Sequence, residues 1–294
     1  MSAVSNTSAH GVQQFFARLG LVSPAVTIVI FVTLLPLFLM LRYSFNIYDP
    51  TELMKSAFVW DNYARFFSDS FFRDVLWTTL SVSATSTVIC TVLGLPLAYV
   101  LAREANPFRK SALLVLIFVP LLVGNAARSV GWSVILADSG LLNGILLVTG
   151  VSSEPVRILY TYSAVVIGLV SLLLPYTIIS IQSVIEGIPL SVEEAATSLG
   201  AGPLTLVHRV LLPLAMPGIY TGAIICFILT MSAYAAPVLL GGPKFQMMAP
   251  VIYQQITRVS NWPFGAALAF ILMASTLILT IVSNAYLQRR YGRL

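Results

Sequence analysis

Charge is scarce in this chain. Asp, Glu, Lys and Arg together make 9% of its 294 residues, against 58% hydrophobic, whereas soluble globular domains carry about 25% charged residues. With a mean hydropathy of +0.91, that excludes an ordinary water-soluble globule and points to an integral membrane protein. Cysteine is nearly missing: Cys90 and Cys226 both fall inside apolar runs, so no disulfide framework is expected. The only histidines, His10 and His208, lie far apart in polar segments, which leaves no metal-ligand spacing. No long apolar run contains Asp or Glu, and this argues against an ion-coupled secondary transporter or a channel built on intramembrane carboxylates. A membrane-embedded enzyme is disfavoured in the same way, because no His/Asp/Glu/Cys constellation has catalytic spacing. The net charge of +5 and pI near 9.3 come from basic residues scattered among the loops rather than gathered in a stripe, so nucleic acid is not a partner.

What the chain does have is apolar length. Runs at 21–41, 76–101, 111–136, 161–184, 215–240 and 264–288 are each long enough to cross a bilayer. The expected fold is therefore an all-α integral membrane protein of six transmembrane helices. Residues 1–20 form an N-terminal segment ending in Gln13-Gln14-Phe15-Phe16-Ala17-Arg18, either an interfacial amphipathic piece or a disordered tail. Residues 21–75 hold the first span and an aromatic-rich cap from Tyr43 to Val75. Residues 76–288 hold five spans and a polar loop at 185–214, and 289–294 form a basic tail. The run from Leu21 lies too deep and is too long for a cleaved signal. Lys and Arg counts on the two sides differ by one, so orientation rests on the dense Arg103–Lys110 connection and the basic C-terminus. Both termini are expected in the cytoplasm.

Within the runs, Pro36, Pro96, Pro120, Pro175 and Pro237 can kink their helices, for gating or as simple packing irregularities. The second run is rich in hydroxyl residues (Thr78, Thr79, Ser81, Ser83, Thr85, Ser86, Thr87, Thr91) and carries Gly94 and Ala98 at small-xxx-small spacing, so it should pack on protein rather than lipid. Arg128 is the only charged residue well inside a run. A charge there must face protein or water, either lining a pathway or bonding backbone carbonyls as a structural arginine.

The loop carries the sharpest motif: Glu194-Ala195-Ala196, three residues, Gly200, nine residues, then Val210-Leu211-Leu212-Pro213. Ser191 three residues before Glu194 reads as a capping box opening a short helix. Gly200 and Gly202 permit a bend at positive φ, and Pro203 opens a second short helix. Leu204, Val207 and Leu211 form a narrow apolar stripe that can lie in a partner's groove. Surface attachment to lipid is the plainer reading, but it does not account for the full spacing.

That spacing resembles the EAA loop of binding-protein-dependent, type I ABC-importer permeases, with Val210 as the one departure from the family's Ile. Arg128-Ser129-Val130-Gly131-Trp132, Gly140-Leu141-Leu142-Asn143, Leu239-Leu240-Gly241-Gly242 and Asn261 to Ala267 look like the spermidine/putrescine permease subfamily. The resemblance covers roughly residue 60 to the C-terminus. It implies a permease subunit of the bacterial inner membrane that moves a small solute, expected to be a polyamine, from periplasm to cytoplasm. The loop would be a cytoplasmic helix-turn-helix, with Glu194, Ala195, Ala196, Gly200, Val210, Leu212 and Pro213 coupling it to ATPase subunits. The resemblance also implies a second six-span permease subunit, a paralogue or a second copy, and a periplasmic solute-binding protein. The chain holds no cofactor, because ATP and Mg would sit on the partner: no Gly-x-x-x-x-Gly-Lys-[Ser/Thr] sequence is present to cradle phosphate. Arg128, Trp132, Ser232 and Tyr234 are the candidate substrate-pathway residues. One departure weakens the polyamine reading: where polyamine permeases often carry an acidic residue in the fifth span, this chain reads Ser232-Ala233-Tyr234-Ala235-Ala236-Pro237. Tyr234 could still hold a cation by its ring face. An amino-phosphonate or organic acid is the alternative cargo.

Overall fold

The computed structural model describes residues 27–291. The expectations for segment 1–20 and for the charged side chains of the C-terminal tail fall outside the residues whose side chains it describes. Helix α1, Thr27–Tyr43, is apolar and exposed up to its last turn, where Met40, Leu41 and Tyr43 are half-buried. A hairpin follows, with β1 (Ile47–Asp49) pairing antiparallel with β2 (Leu53–Lys55). Asp49 closes its turn by accepting from the Thr51 amide at 2.8 Å and hydroxyl at 2.6 Å. The Lys55 ammonium and these donors hold the Asp49 carboxyl well below the usual carboxylate range. Helix α2 (Asp61–Ser68) leads to α3 (Ser70–Arg103), which is capped by the Asp69 carboxylate on the Phe71 amide.

The cap is packed down onto the far end of the chain. Phe66, Phe72 and Val75 are buried with Met248, Val251, Phe264 and Leu268, and the Arg65 guanidinium lies 4.4 Å from the centre of the Phe264 ring. Phe45, Phe58, Trp60 and Tyr63 form a second aromatic cluster beside the hairpin.

At 34 residues α3 is about 51 Å long, more than a hydrocarbon core requires. Its buried positions include Thr79, Ser83, Ser86, Cys90, Gly94 and Ala98, as the hydroxyl-rich run implied. These small residues allow a close approach to α7 (Tyr162–Glu186), the central helix, and α10 (Leu212–Met231) closes the triangle. A Cβ at Gly222 would meet Thr177 Cα at 3.2 Å, and one at Gly94 would meet Thr177 Cγ2 at 3.2 Å, so Thr177 marks the point where the three helices converge. At Gly218 a Cβ would stand 2.8 Å from the Ser180 carbonyl oxygen. Thr79 serves twice in this region, donating to the Val75 carbonyl and accepting from the Met248 amide at 2.9 Å.

Two apolar runs are interrupted where the sequence reading expected continuous spans. The run at 111–136 is divided into α4 (Pro107–Leu122) and α5 (Asn125–Leu136), with extended backbone at Val123 and Gly124. The run at 215–240 stops at Met231; Ser232 to Tyr234 leave the helix, and Pro237–Gly241 form a π-helical turn. Helix α6 (Leu141–Val148) follows α5, and α8 (Leu190–Ser198) and α9 (Pro203–Leu206) follow α7. Helices α11 (Met248–Thr257) and α12 (Trp262–Tyr291) complete the chain. Five segments among the described residues are long and apolar enough to cross a membrane: Ser70–Arg103, Asn125–Val148, Tyr162–Glu186, Pro203–Met231 and Trp262–Ala285.

Candidate functional site

The motif-bearing loop lies at the end of α3 away from the hairpin. Helix α8 starts one residue before Ser191, on Pro189, and no side chain caps it. The capping box expected from Ser191 and Glu194 is therefore not formed. The fixed φ of Pro189, at −58°, sets the entry to the helix instead. At its other end the expected bend is present and its hydrogen bonding is complete. The Gly200 amide donates to the Thr197 carbonyl at 2.9 Å and the Ala201 amide to the Ala196 carbonyl at 3.0 Å, with Gly200 at φ +84°. This is a Schellman ending, in which the left-handed residue is glycine because a Cβ would be strained there. Gly202 has φ −71° and does not share that role.

The second short helix of the sequence reading is not separate. Pro203 does open α9, but the helix then runs through a π-helical turn, Val207–Leu211, directly into α10. Pro213 lacks the amide that would bond the Arg209 carbonyl, and the wider turn accommodates that gap. The stripe Leu204, Val207, Leu211 passes from exposed tip to buried root, at 82%, 39% and 4% exposure. Leu199 and Leu204 thus stand bare on either side of the bend. Glu194 and Ala195 are exposed, Ala196, Val210, Leu212 and Pro213 half-buried.

Glu193, to which the sequence reading gave no role beyond favouring the first helical turn, is the only buried residue of α8. Its Oε1 accepts from Arg103 Nε at 2.7 Å and its Oε2 from the Tyr99 hydroxyl at 3.0 Å. The same guanidinium donates to the Ile188 carbonyl at 3.0 Å. Stripping one member from a buried pair of this kind costs about 3–5 kcal/mol, since its partner is left uncompensated. Tyr99 and Arg103 are spaced i, i+4 at the end of α3, a pattern that could have flagged them. Nearby, Lys110 of α4 pairs with Glu186 at the end of α7.

A cavity of about 320 Å³ opens between the start of α5, α7 and the segment after α10. Ser232 and Tyr234, both candidates from the sequence, line it together with Asn125 and Tyr176, which the sequence reading missed. The break in α10 explains the geometry: irregular backbone at this depth is tolerated where it borders a cavity. Arg128 is connected to the cavity through Asn125, whose Oδ1 accepts from Nη2 at 3.2 Å, while its Nε and Nη1 are buried without an acceptor. Trp132 instead packs, half-buried, against the main core cluster. The Tyr234 and Tyr253 rings meet with their centres 4.9 Å apart, tilted by 58°. Among the described residues no carboxylate lines the cavity.

The chain is similar to known proteins in sequence and fold. Residues 94–293 match the family described as binding-protein-dependent transport system inner membrane component. The chain is 35% identical over 264 residues to the spermidine/putrescine transport system permease protein PotB of Haemophilus influenzae, covering 89% of this chain and 92% of that one. It is 36% identical over 253 residues to PotB of Escherichia coli K12, covering 86% and 89%. Among solved structures, it superposes on a chain of the bacterial alginate ABC transporter in complex with alginate pentasaccharide-bound periplasmic protein with a TM-score of 0.79 at 16% identity, covering 96% and 97%. A chain of the MetNI methionine ABC transporter gives 0.55 at 19% identity, covering 72% and 93%.

Proposed function

The chain belongs to the family of binding-protein-dependent transport system inner membrane components, the permease subunits of ABC importers, and from that premise we propose that it carries a polyamine of the spermidine/putrescine class across the bacterial inner membrane. The single observation carrying the cargo is the identity of about a third, over most of both chains, to permeases named for spermidine and putrescine. In this reading the chain crosses the membrane six times, with α1 and the α4–α5 pair each contributing a crossing beside the long helices, and both termini are cytoplasmic.

The mechanism follows from which parts are rigid and which are bare. ATP and Mg bind the partner ATPase subunits, which supply the hydrolysis. Glu194, Ala195, Ala196 and the exposed Leu199 and Leu204 present the loop to a groove of that partner. Gly200 sets the angle between α8 and α9. Because α9 continues into α10, a push on the loop is delivered along one helix to Met231, beside Ser232 and Tyr234 at the cavity. Val210, Leu212 and Pro213 lie at the root of that lever. A second permease subunit, as a paralogue or a second copy, forms the other wall of the pathway, and a periplasmic binding protein delivers the solute.

In the cavity the rings of Tyr234 and Tyr176 and the neutral oxygens of Asn125 and Ser232 suit an ammonium group that is passed on rather than held. The second reading, an anionic cargo such as an organic acid or amino-phosphonate, is favoured by the unpartnered N–H groups of Arg128. The test is to purify the cognate binding protein and measure its ligands by calorimetry, together with uptake by Arg128→Ala. Binding of spermidine or putrescine, with polyamine uptake spared in Arg128→Ala, supports the first reading. A binding protein that takes only anions, with selective loss of their uptake, supports the second.

A further inference from the structure

Force reaching α8 must pass into the spans somewhere, and α8 has few attachments. Glu193 is its only buried residue, and no side chain of α8 belongs to the apolar cluster formed beneath it by Leu101, Ile178, Ile181, Ile185 and Ala215. Among the described residues, the side-chain hydrogen bonds joining α8 to another helix are those of Glu193 to Arg103 and Tyr99. Both carboxylate oxygens are occupied, and the two side chains of the ion pair are only 14% and 10% exposed. Arg103 also holds the Ile188 carbonyl, so one planar guanidinium fixes the last residue of α3, the connector leaving α7 and the first turn of α8. A planar fork holds two acceptors at set angles, which an ammonium on a flexible stem does not. Consecutive helix positions point about 100° apart, so the glutamate pair divides: Glu194 is exposed toward a partner and Glu193 is directed inward.

We propose that Arg103, Tyr99 and Glu193 form the joint through which movement of α8 is delivered to α3, and that they are positioning residues for transport. The inference rests on the ATP-driven reading above and adds a second route to it. One arm runs from the loop through α9 into α10, and the other from α8 through this clasp into α3. The two arms meet again at Thr177, where Gly94 of α3 and Gly222 of α10 close on α7. Motion of the loop therefore moves two sides of the three-helix core together, as a packed two-state element requires.

The experiment uses the whole complex in liposomes with its ATPase and its loaded binding protein, and radiolabelled spermidine as the probe. It reads ATP hydrolysis, its stimulation by binding protein, spermidine entering per ATP, and ATPase retained through purification. Glu193→Gln preserves shape and is expected to keep the ATPase bound and hydrolysing while spermidine per ATP falls about tenfold. Tyr99→Phe removes one hydrogen bond, leaves the ion pair, and is expected to lose about two- to threefold. Wild-type spermidine per ATP in both variants overturns the proposal. Loss of the ATPase from Glu193→Gln also overturns it, by assigning the clasp to assembly. If Glu193→Gln does not accumulate, Tyr99→Phe decides alone, and wild-type stoichiometry there is fatal to the idea. Uptake by the wild-type complex that ignores ATP would defeat the importer reading itself, and is seen before any variant is made.

Discussion

Glu193 and Glu194 adjoin in sequence and face different ways: the first is 7% exposed and bonded to Arg103, the second is exposed. Their separation implies different failures. Glu194→Ala should weaken retention of the ATPase on the purified complex, because it removes a charge from the docking face and disturbs nothing beneath. Co-purification of ATPase with this variant, compared with Glu193→Gln, checks it.

Gly200→Val isolates the bend. A Cβ there would meet nothing within 4 Å, and the whole effect falls on φ, at +84°. A non-glycine residue in the left-handed region costs about 1–2 kcal/mol, enough to shift the angle between α8 and α9 without unfolding the spans. The variant should accumulate normally in membranes and hydrolyse ATP with reduced uptake. Uptake at the wild-type rate would show that the angle does not matter.

Gly218→Ala addresses the core instead. The added methyl would stand 2.8 Å from the Ser180 carbonyl oxygen and 2.9 Å from Val184 Cγ2, and α10 must move off α7. Overpacking of this kind costs about 1–3 kcal/mol, which a lower melting midpoint in detergent would register. Gly144→Ala, with open space at its Cβ, should leave the midpoint unchanged.

Tyr234→Leu removes an aromatic face from the cavity wall and leaves a smaller apolar side chain. If a cation passes along that ring, uptake should fall about tenfold, as loss of a desolvated cation–π contact allows. Tyr234→Phe should keep most of it. Transport assays on cells expressing each variant separate the two, and equal activity would remove Tyr234 from the pathway.

Much of this was legible in the sequence, for identifiable reasons. The EAA spacing placed the Gly200 bend correctly because positive φ is a local demand that glycine announces. Ser232 and Tyr234 were singled out because the resemblance puts an acidic residue at that place in the fifth span and this chain has none there. Arg128 stood out by its charge but reaches the cavity through Asn125, and Trp132 lies half-buried against the core. The clasp was hidden because its halves lie 90 residues apart, as Arg103 and Glu193, and nothing local pairs them. The breaks at Gly124 and after Met231 were missed because hydropathy reports apolar length and not helical continuity. The π-helical passage from α9 into α10 was likewise missed, because nothing in the sequence shows that a wider turn carries the helix past Pro213.

The most direct measurement of the central claim is uptake of radiolabelled spermidine into liposomes holding this chain, its partner permease subunit and the ATPase, with the binding protein outside and ATP within. The account predicts accumulation that requires ATP and binding protein together and is competed by putrescine. Accumulation that persists without ATP, or a fully assembled complex that hydrolyses ATP in response to its binding protein yet moves no polyamine, would contradict it.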